Sequence, residues 1–435
     1  MNTQNKFELE RDTRLKYQFL RFKMGIYNVF HKTWIWLVVV TYIVIAIYAR
    51  YIIYQSVPDI NNIAAVANSI TLKITYPFFA VAGFIVLLVF LGTPYGAKKI
   101  NKSLRIVGLT NHAGQSPLLL KMCKENGMAI MEFDPNGIPL SDWEDKQEGI
   151  ETALNIHIEK IEYGKSRDKI VLQAISGNKT LPELVYWKDK YLSIEDFTLI
   201  FGQSRTGQTK INMAKIPHIL LGGSTGSGKS ILLKLLIMQC VKKDAEVFIA
   251  DFKGGVDFLP IWHEKCNIIT EENTLLEVLT NLVNELEKRK QVFREYGCAN
   301  ISEYNKMNAP QIKRIVFACD EVAEVLDKTG LSKEAKELVT QIEGKLSIIA
   351  RQGRAFGIHL ILATQRPDAN ILAGQIRNNV DFRVCGRADN VLSQIILDNT
   401  NAAEQIPKDS QGLFITHDGV IFKGYLFDEK AIFDR

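Results

Sequence analysis

The stretch from His218 to Ser230, HILLGGSTGSGKS, carries the pattern G-x-x-x-x-G-K-[ST] at Gly223, Gly228, Lys229 and Ser230. Apolar Ile219, Leu220 and Leu221 precede it and ILLKLLIMQCV follows, so a strand runs into a glycine turn and out into a helix, as a phosphate-binding loop requires. Gly222, Gly223, Gly226 and Gly228 carry no Cβ and can take φ > 0. The backbone N–H groups of Gly223, Ser224, Thr225, Gly226, Ser227 and Gly228 are thereby expected to curl round a phosphate at the positive end of the helix. Lys229 would add a point charge on the β- and γ-phosphates, and the Ser230 hydroxyl would sit on Mg²⁺. ATP and Mg²⁺ are therefore the expected cofactors.

Downstream, apolar runs at 245–250, 314–318, 358–363 and 380–385 alternate with helical stripes. One stripe is Leu275, Leu279, Leu282, Val283 and Leu286, and another is Leu338, Ile342, Leu346 and Ile349. Strands apolar on both faces, alternating with helices, predict an α/β fold with a parallel sheet covered on both sides. Asp320 and Glu321 close the strand IVFAC, where a P-loop ATPase keeps its Mg²⁺-holding aspartate and the carboxylate that prepares the attacking water. Gln365 ends the next strand and could sense the γ-phosphate or orient water. The departing phosphoryl group also needs a cation, for which Arg354, Arg351, Arg366, Arg383 and Arg387 compete.

Upstream, residues 1–32 are net basic and read as a cytoplasmic tail. Two uncharged apolar runs follow, 33–49 and 74–97, each approaching the roughly 20 residues that cross a bilayer. Lys32 precedes the pair and Lys98, Lys99, Lys102 and Arg105 follow it, while the loop between holds little beyond Asp59 and Lys73. The positive flanks predict both termini inside, so a two-span protein of the cell membrane with its P-loop domain in the cytoplasm is expected. The expected divisions are a tail at 1–32, two transmembrane helices at 33–97, a small α/β adaptor domain at 98–200 and the P-loop domain at 201–435. Turn signals at Asp134-Pro135-Asn136-Gly137 and Ser176-Gly177-Asn178 mark the adaptor, which shows no catalytic constellation.

Composition sets the outer bounds. With 435 residues the chain exceeds one ordinary domain, and a net charge of only +5 means that any surface for a polyanion must be local. The six cysteines include no C-x-x-C pair, and no H-E-x-x-H occurs. Reduced, mostly buried thiols are expected, with no metal site other than nucleotide-bound Mg²⁺.

Taken together, IPHILLGGSTGSGKS, IADFKGG, IVFACDE, ARQGRAFGIHLILATQRPDANILAGQIRNN and DFRVCGRAD resemble the motor domain of the FtsK/SpoIIIE DNA translocases over roughly residues 185–430. The resemblance implies a RecA-like fold, a homo-hexameric ring and ATP-driven threading of DNA. It puts Lys229 and Ser230 on the Walker A motif and Asp320 and Glu321 on Walker B. Gln365 falls on the strand-end glutamine and Arg354 on the arginine acting across the subunit boundary. Two apparent spans, no long Pro/Gln-rich linker and an end at Arg435 make the layout similar to the coupling proteins of Gram-positive conjugative plasmids and integrative elements. Those imply a relaxase, transfer-channel proteins and the membrane as partners. A chromosome or plasmid segregation translocase, a type VII-like protein-secretion ATPase and a non-hydrolysing scaffold are the alternatives. DNA is expected to be gripped by loops at the strand ends, chiefly DANILAGQIRNN with Arg377, because six copies of one arginine form a positive collar that engages phosphate without reading sequence. The competing reading pairs Arg377 with Asp381, and Lys253 in DFKGG is the next candidate for the grip.

The charge flanks generate a topology test: reporters fused at residue 62 should report the outside, and at residues 10 and 110 the cytoplasm. A cytoplasmic signal at residue 62 would rule out the two-span arrangement.

Overall fold

The computed structural model describes residues 3–430 apart from 57, 59–61, 126, 255–256, 308–310 and 366–373. It forms two compact units that divide between Lys179 and Thr180. The boundary expected at 200/201 instead falls inside a strand, Thr198–Ser204, of the second unit's sheet. The reason is backbone pairing: Tyr186 bridges Leu426, and Trp187 N donates to Leu426 O, so the chain joins the second unit well before that strand begins.

In the first unit, α1 spans Thr3–His31, α2 Thr33–Gln55, α3 Ile63–Leu91 and α4 Ala97–Ile106. Both α2 and α3 are long and apolar enough to cross a membrane. They leave large side chains such as Leu37, Ile45, Phe78 and Phe90 exposed. The second run starts at Ile63 rather than Ile74, because Asn62 caps it by accepting from Ala65 N at 3.1 Å, and it ends at Gly92 before the basic cluster. Residues 1–32 are more than a tail. Helix α1 lies against α3 at two glycines, where a Cβ on Gly25 would come within 1.9 Å of Leu88 O and one on Gly92 within 1.9 Å of Arg21 O. Only residues without a side chain allow the two backbones so close.

The same unit holds four antiparallel strands, β1 (Leu118–Glu125), β2 (Met128–Asp134), β3 (Ile156–Tyr163) and β4 (Ile170–Ser176), ordered β1-β2-β4-β3. Helices α5 (Leu140–Asp145) and α6 (Gln147–Leu154) help bury Phe133, Trp143, Ile150 and Leu172. These strands and helices share one apolar core. Asn136 and Gly137 take positive φ at the turn after β2.

The second unit carries β5 (Thr198–Ser204), β6 (Gln208–Asn212), β7 (His218–Gly222), α7 (Lys229–Lys242), β8 (Glu246–Ala250), α8 (Pro260–Lys265) and β9 (Asn267–Ile269). Next come α9 (Glu272–Glu295), α10 (Ile301–Met307), β10 (Ile315–Cys319), α11 (Val322–Leu326), α12 (Lys333–Phe356) and β11 (Ile358–Thr364). The chain continues through α13 (Gly374–Arg377), β12 (Phe382–Cys385), α14 (Asn390–Leu397), α15 (Asn401–Gln405), β13 (Leu413–Thr416) and β14 (Ile421–Gly424). All ten strands form one sheet, β6-β5-β14-β13-β12-β7-β11-β10-β8-β9. From β12 to β9 it is parallel, with a large apolar core on each face. From β13 to β6 it is antiparallel, so the expected parallel sheet is one part of a mixed one. Connection length decides the difference. Only 417–420 separate β13 from β14, too short for a crossover helix.

Two histidines lie buried at the start of the parallel strands. His218 accepts from Leu360 N at 2.9 Å, and its other ring nitrogen is buried without a partner among the described residues. Burial pushes His218 down to about 4, and burial followed by the charge of Arg314 holds His359 well below its ordinary value. Unfolded histidine takes up its proton near pH 6.5, whereas folded His218 does so only near pH 4 and His359 well below its ordinary value. Stability is therefore full above pH 6.5 and falls as the pH drops. His218 alone should cost about 2 kcal/mol by pH 5 and about 3 kcal/mol by pH 4, readable by denaturant unfolding across that range. Unfolding that does not change between pH 7 and 5 would show that His218 is not buried neutral.

Candidate active site

Parallel pairing aligns the carboxyl ends of four strands. Gly222 of β7 lies opposite Thr364 of β11, and Cys319 of β10 lies opposite both Leu362 of β11 and Ala250 of β8. Loops leaving these ends meet along one edge, the usual ligand crevice of an open α/β sheet.

The loop after β7 takes φ of 155° at Gly223, 78° at Gly226 and 96° at Gly228. Gly222 is needed for packing instead, since a Cβ there would meet Ile396 at 2.4 Å. Neighbouring loops pin this one down. Ser224 donates to Arg387 O from N and Oγ at 2.8 and 2.9 Å, and Gly412 N donates to Ser227 O at 2.8 Å. The Arg387 guanidinium reaches Ser224 Oγ at 3.2 Å, Lys408 O at 3.0 Å and Thr225 O. Ser227 Oγ is buried with no partner among the described residues, which suits a cradle built for an oxygen-rich ligand.

Asp320, directly after β10, is only 2% exposed and is the anion on which the site converges. Lys229 Nζ donates to its carbonyl at 2.6 Å and to Oδ1 at 3.1 Å, Ser230 Oγ reaches Oδ1 at 3.1 Å, and Lys253 Nζ reaches Oδ2 at 3.2 Å. Burial alone would raise the carboxyl, but Lys229 and then Lys253 outweigh it and hold Asp320 below the usual carboxylate range. Ser230 and Asp320 offer hard oxygen donors. Among the described residues no cluster of three His, Cys, Asp or Glu could cage a metal, and a pair of side chains completed by phosphate oxygens is the way Mg²⁺ is commonly held.

Glu321, 4% exposed, is oriented by the end of β11: Thr364 Oγ1 donates to Oε1 at 2.6 Å and Gln365 N to Oε2 at 3.0 Å. The Gln365 amide oxygen accepts from Thr225 Oγ1 at 3.0 Å, tying this strand end to the glycine loop. The sequence reading missed Thr364, whose only signal was a hydroxyl closing an otherwise apolar strand.

The arginines separate by position. Arg387 serves its own glycine loop, Arg351 Nε donates to Ser347 O at 3.3 Å, and Arg366 lies outside the described residues. Arg383 and Arg377 both hold Asp398 rather than Asp381, Arg383 through Nη1 at 2.5 Å. Residues 368–373 of the expected DNA loop also lie outside the described residues. Arg354 is exposed in the last turn of α12, and its side chain has no partner among the described residues. It stands near the start of β11, whereas the glycine loop lies beyond the far end, about 20 Å away along a seven-residue strand. Lys253, a candidate for DNA, is partly exposed and has its ammonium group between Asp320 and Asp257.

Fold and site together define a RecA-like P-loop ATPase domain. The FtsK/SpoIIIE family matches residues 193–369. Two DNA translocases FtsK, from Chlorobaculum tepidum and Helicobacter pylori, are 31% identical over 234 residues and 32% identical over 224 residues. These matches cover 50% and 48% of this chain but only 28% and 25% of theirs, so the chain spans about a quarter of their length. The solved structure of the pCW3 conjugation coupling protein TcpA, a monomer form with ATPγS, is 36% identical with a TM-score of 0.58, covering 76% of this chain and 96% of that one. The chain belongs to the FtsK/SpoIIIE family.

The geometry predicts two separable defects. Lys229→Ala removes the charge beside the phosphates and should weaken nucleotide binding by about tenfold or more, measured with a fluorescent ATP analogue. Glu321→Gln keeps that charge, so binding should persist while hydrolysis drops by about 10²- to 10⁴-fold. Wild-type turnover in Glu321→Gln would remove Glu321 as the base.

Proposed function

We propose that this chain is a membrane-anchored, ATP-driven DNA translocase acting as a conjugative coupling protein, which delivers relaxase-bound DNA to a transfer channel. The observation that carries this reading is the assembled Lys229–Asp320–Glu321–Gln365 edge, in a chain similar to the solved chain of a conjugation coupling protein over 96% of that chain. Helices α2 and α3 would supply the anchor, with the motor in the cytoplasm. The glycine loop and Lys229 hold the phosphates, Glu321 takes the proton of the attacking water, and Gln365 orients that water. Mg²⁺ held by Ser230 and Asp320 would neutralise charge on the β- and γ-phosphates. Arg354, too far from its own loop, acts on the neighbouring subunit's nucleotide in a homo-hexameric ring. Arg377 contributes to the DNA collar by exchanging Asp398 for backbone phosphate.

DNA should stimulate ATP hydrolysis by the purified full chain, and the moving chain should strip a third strand from a triplex only when ATP is hydrolysed. Arg354→Ala should cut turnover by about 10³- to 10⁵-fold, and mixing it with Glu321→Gln should restore part of it, because mixed rings contain interfaces with both groups intact. Hydrolysis indifferent to DNA but stimulated by a protein substrate would replace this reading with a secretion ATPase. No rescue in verified mixed rings would leave Arg354 a structural residue. DNA movement without any requirement for a relaxase in DNA transfer between cells would favour segregation over conjugation.

A further inference from the structure

Lys253 stands on the loop that leaves β8, next to β10 in the sheet, and it brings a second ammonium group to Asp320. Its other partner is Asp257, with Nζ 3.4 Å from Oδ2. The lysine is 37% exposed and Asp257 44%, against 3% for the Asp320 side chain, so Lys253 links the buried site to the surface. Its own backbone N donates to Asp251 Oδ1 at 3.0 Å, while Asp251 Oδ2 is buried with no partner among the described residues. Gly254 follows with φ of 82° and gives the loop no side chain to pack.

These positions set up a competition. A hard divalent cation served by Ser230 Oγ and Asp320, directly or through bound water, draws on the carboxylate that Lys253 holds at 3.2 Å. Two cations a few ångströms apart at a largely buried anion repel with little screening. Lys229 escapes the conflict because phosphate lies in its direction. Lys253 is 37% exposed and already has Asp257 within reach on the outer side.

We infer that Lys253 and the Mg²⁺ that accompanies nucleotide bind Asp320 in mutual exclusion, so that arrival of metal and nucleotide expels Lys253 from the carboxylate. This rests on the reading of the site as a nucleotide site. Lys253 thereby registers metal-loaded nucleotide, because the metal and not the nucleotide alone competes for the carboxylate that the lysine holds.

The test uses the full chain in detergent, lysine acetylation read by mass spectrometry, and adenylyl imidodiphosphate with Mg²⁺ or with EDTA. Lys253 should become severalfold more reactive with Mg²⁺ and the analogue together, and not with the analogue in EDTA. A Lys253→Gln chain should reach half-maximal binding of a fluorescent ATP analogue at a lower Mg²⁺ concentration than wild type. Protection of Lys253 by Mg²⁺ and the analogue, or a need for about tenfold more Mg²⁺ in Lys253→Gln, would overturn the inference by making Lys253 part of the bound state. Unchanged Lys253 reactivity alongside demonstrated nucleotide binding would overturn the inference and leave the nucleotide site standing. Failure of the fluorescent analogue to bind at all would overturn the nucleotide site itself, and with it this inference.

Discussion

Asp320 is a carboxylate taken almost entirely out of water, and such a group is stable only when cations and donors surround it. Lys229, Ser230 and Lys253 supply that surrounding from two other loops. Their meeting depends on the register of β7, β11, β10 and β8. A slip of one residue in any of these strands would turn its side chains to the opposite face and displace the loop that follows. The buried apolar strands and the charged edge are thus one construction. Rigid packing on both faces holds the ladder still, and the ladder holds the charges together.

The antiparallel half of the sheet takes part in this. Gly412, just before β13, donates to the glycine loop at Ser227 O, and a Cβ on Gly228 would come within 3.1 Å of Gly412 N. Arg387, just after β12, ties the glycine loop to Lys408 O. The loop is therefore gripped from the β12–β13 side and linked through Gln365 to the β11 side, which fixes its curvature before any ligand arrives. Such preorganisation is what electrostatic catalysis requires, since donors already in place need no reorientation during reaction.

Position along the strands also divides labour among the arginines. Groups at the carboxyl edge serve the chain's own loop, and Arg354 near the amino edge faces outward with no partner among the described residues. A parallel sheet with ordered ends gives a subunit two different faces, one holding the nucleotide groups and one presenting a cation.

Much was legible before the fold was known, for physical reasons. Glycines at 223, 226 and 228, the Lys229-Ser230 pair and the acidic pair after IVFAC announced the nucleotide edge because backbone φ and strand-end position are local properties. The two apolar helices were legible because a bilayer demands a long uncharged run, although the cap at Asn62 shifted the second one. The rest depended on encounters between residues far apart in sequence. Thr364 and Gln365 orient Glu321, Arg377 meets Asp398 rather than Asp381, and Lys253 turns toward Asp320 instead of outward. The antiparallel extension, the close approach of α1 to α3 and the start of the second unit at Thr180 belong to the same class. Composition and periodicity determine which residues are buried and which turns the chain can make. Which charge neutralises which is decided only when packing brings distant strand ends within about 3 Å, because in a buried setting the partner actually reached sets the energy of the pair.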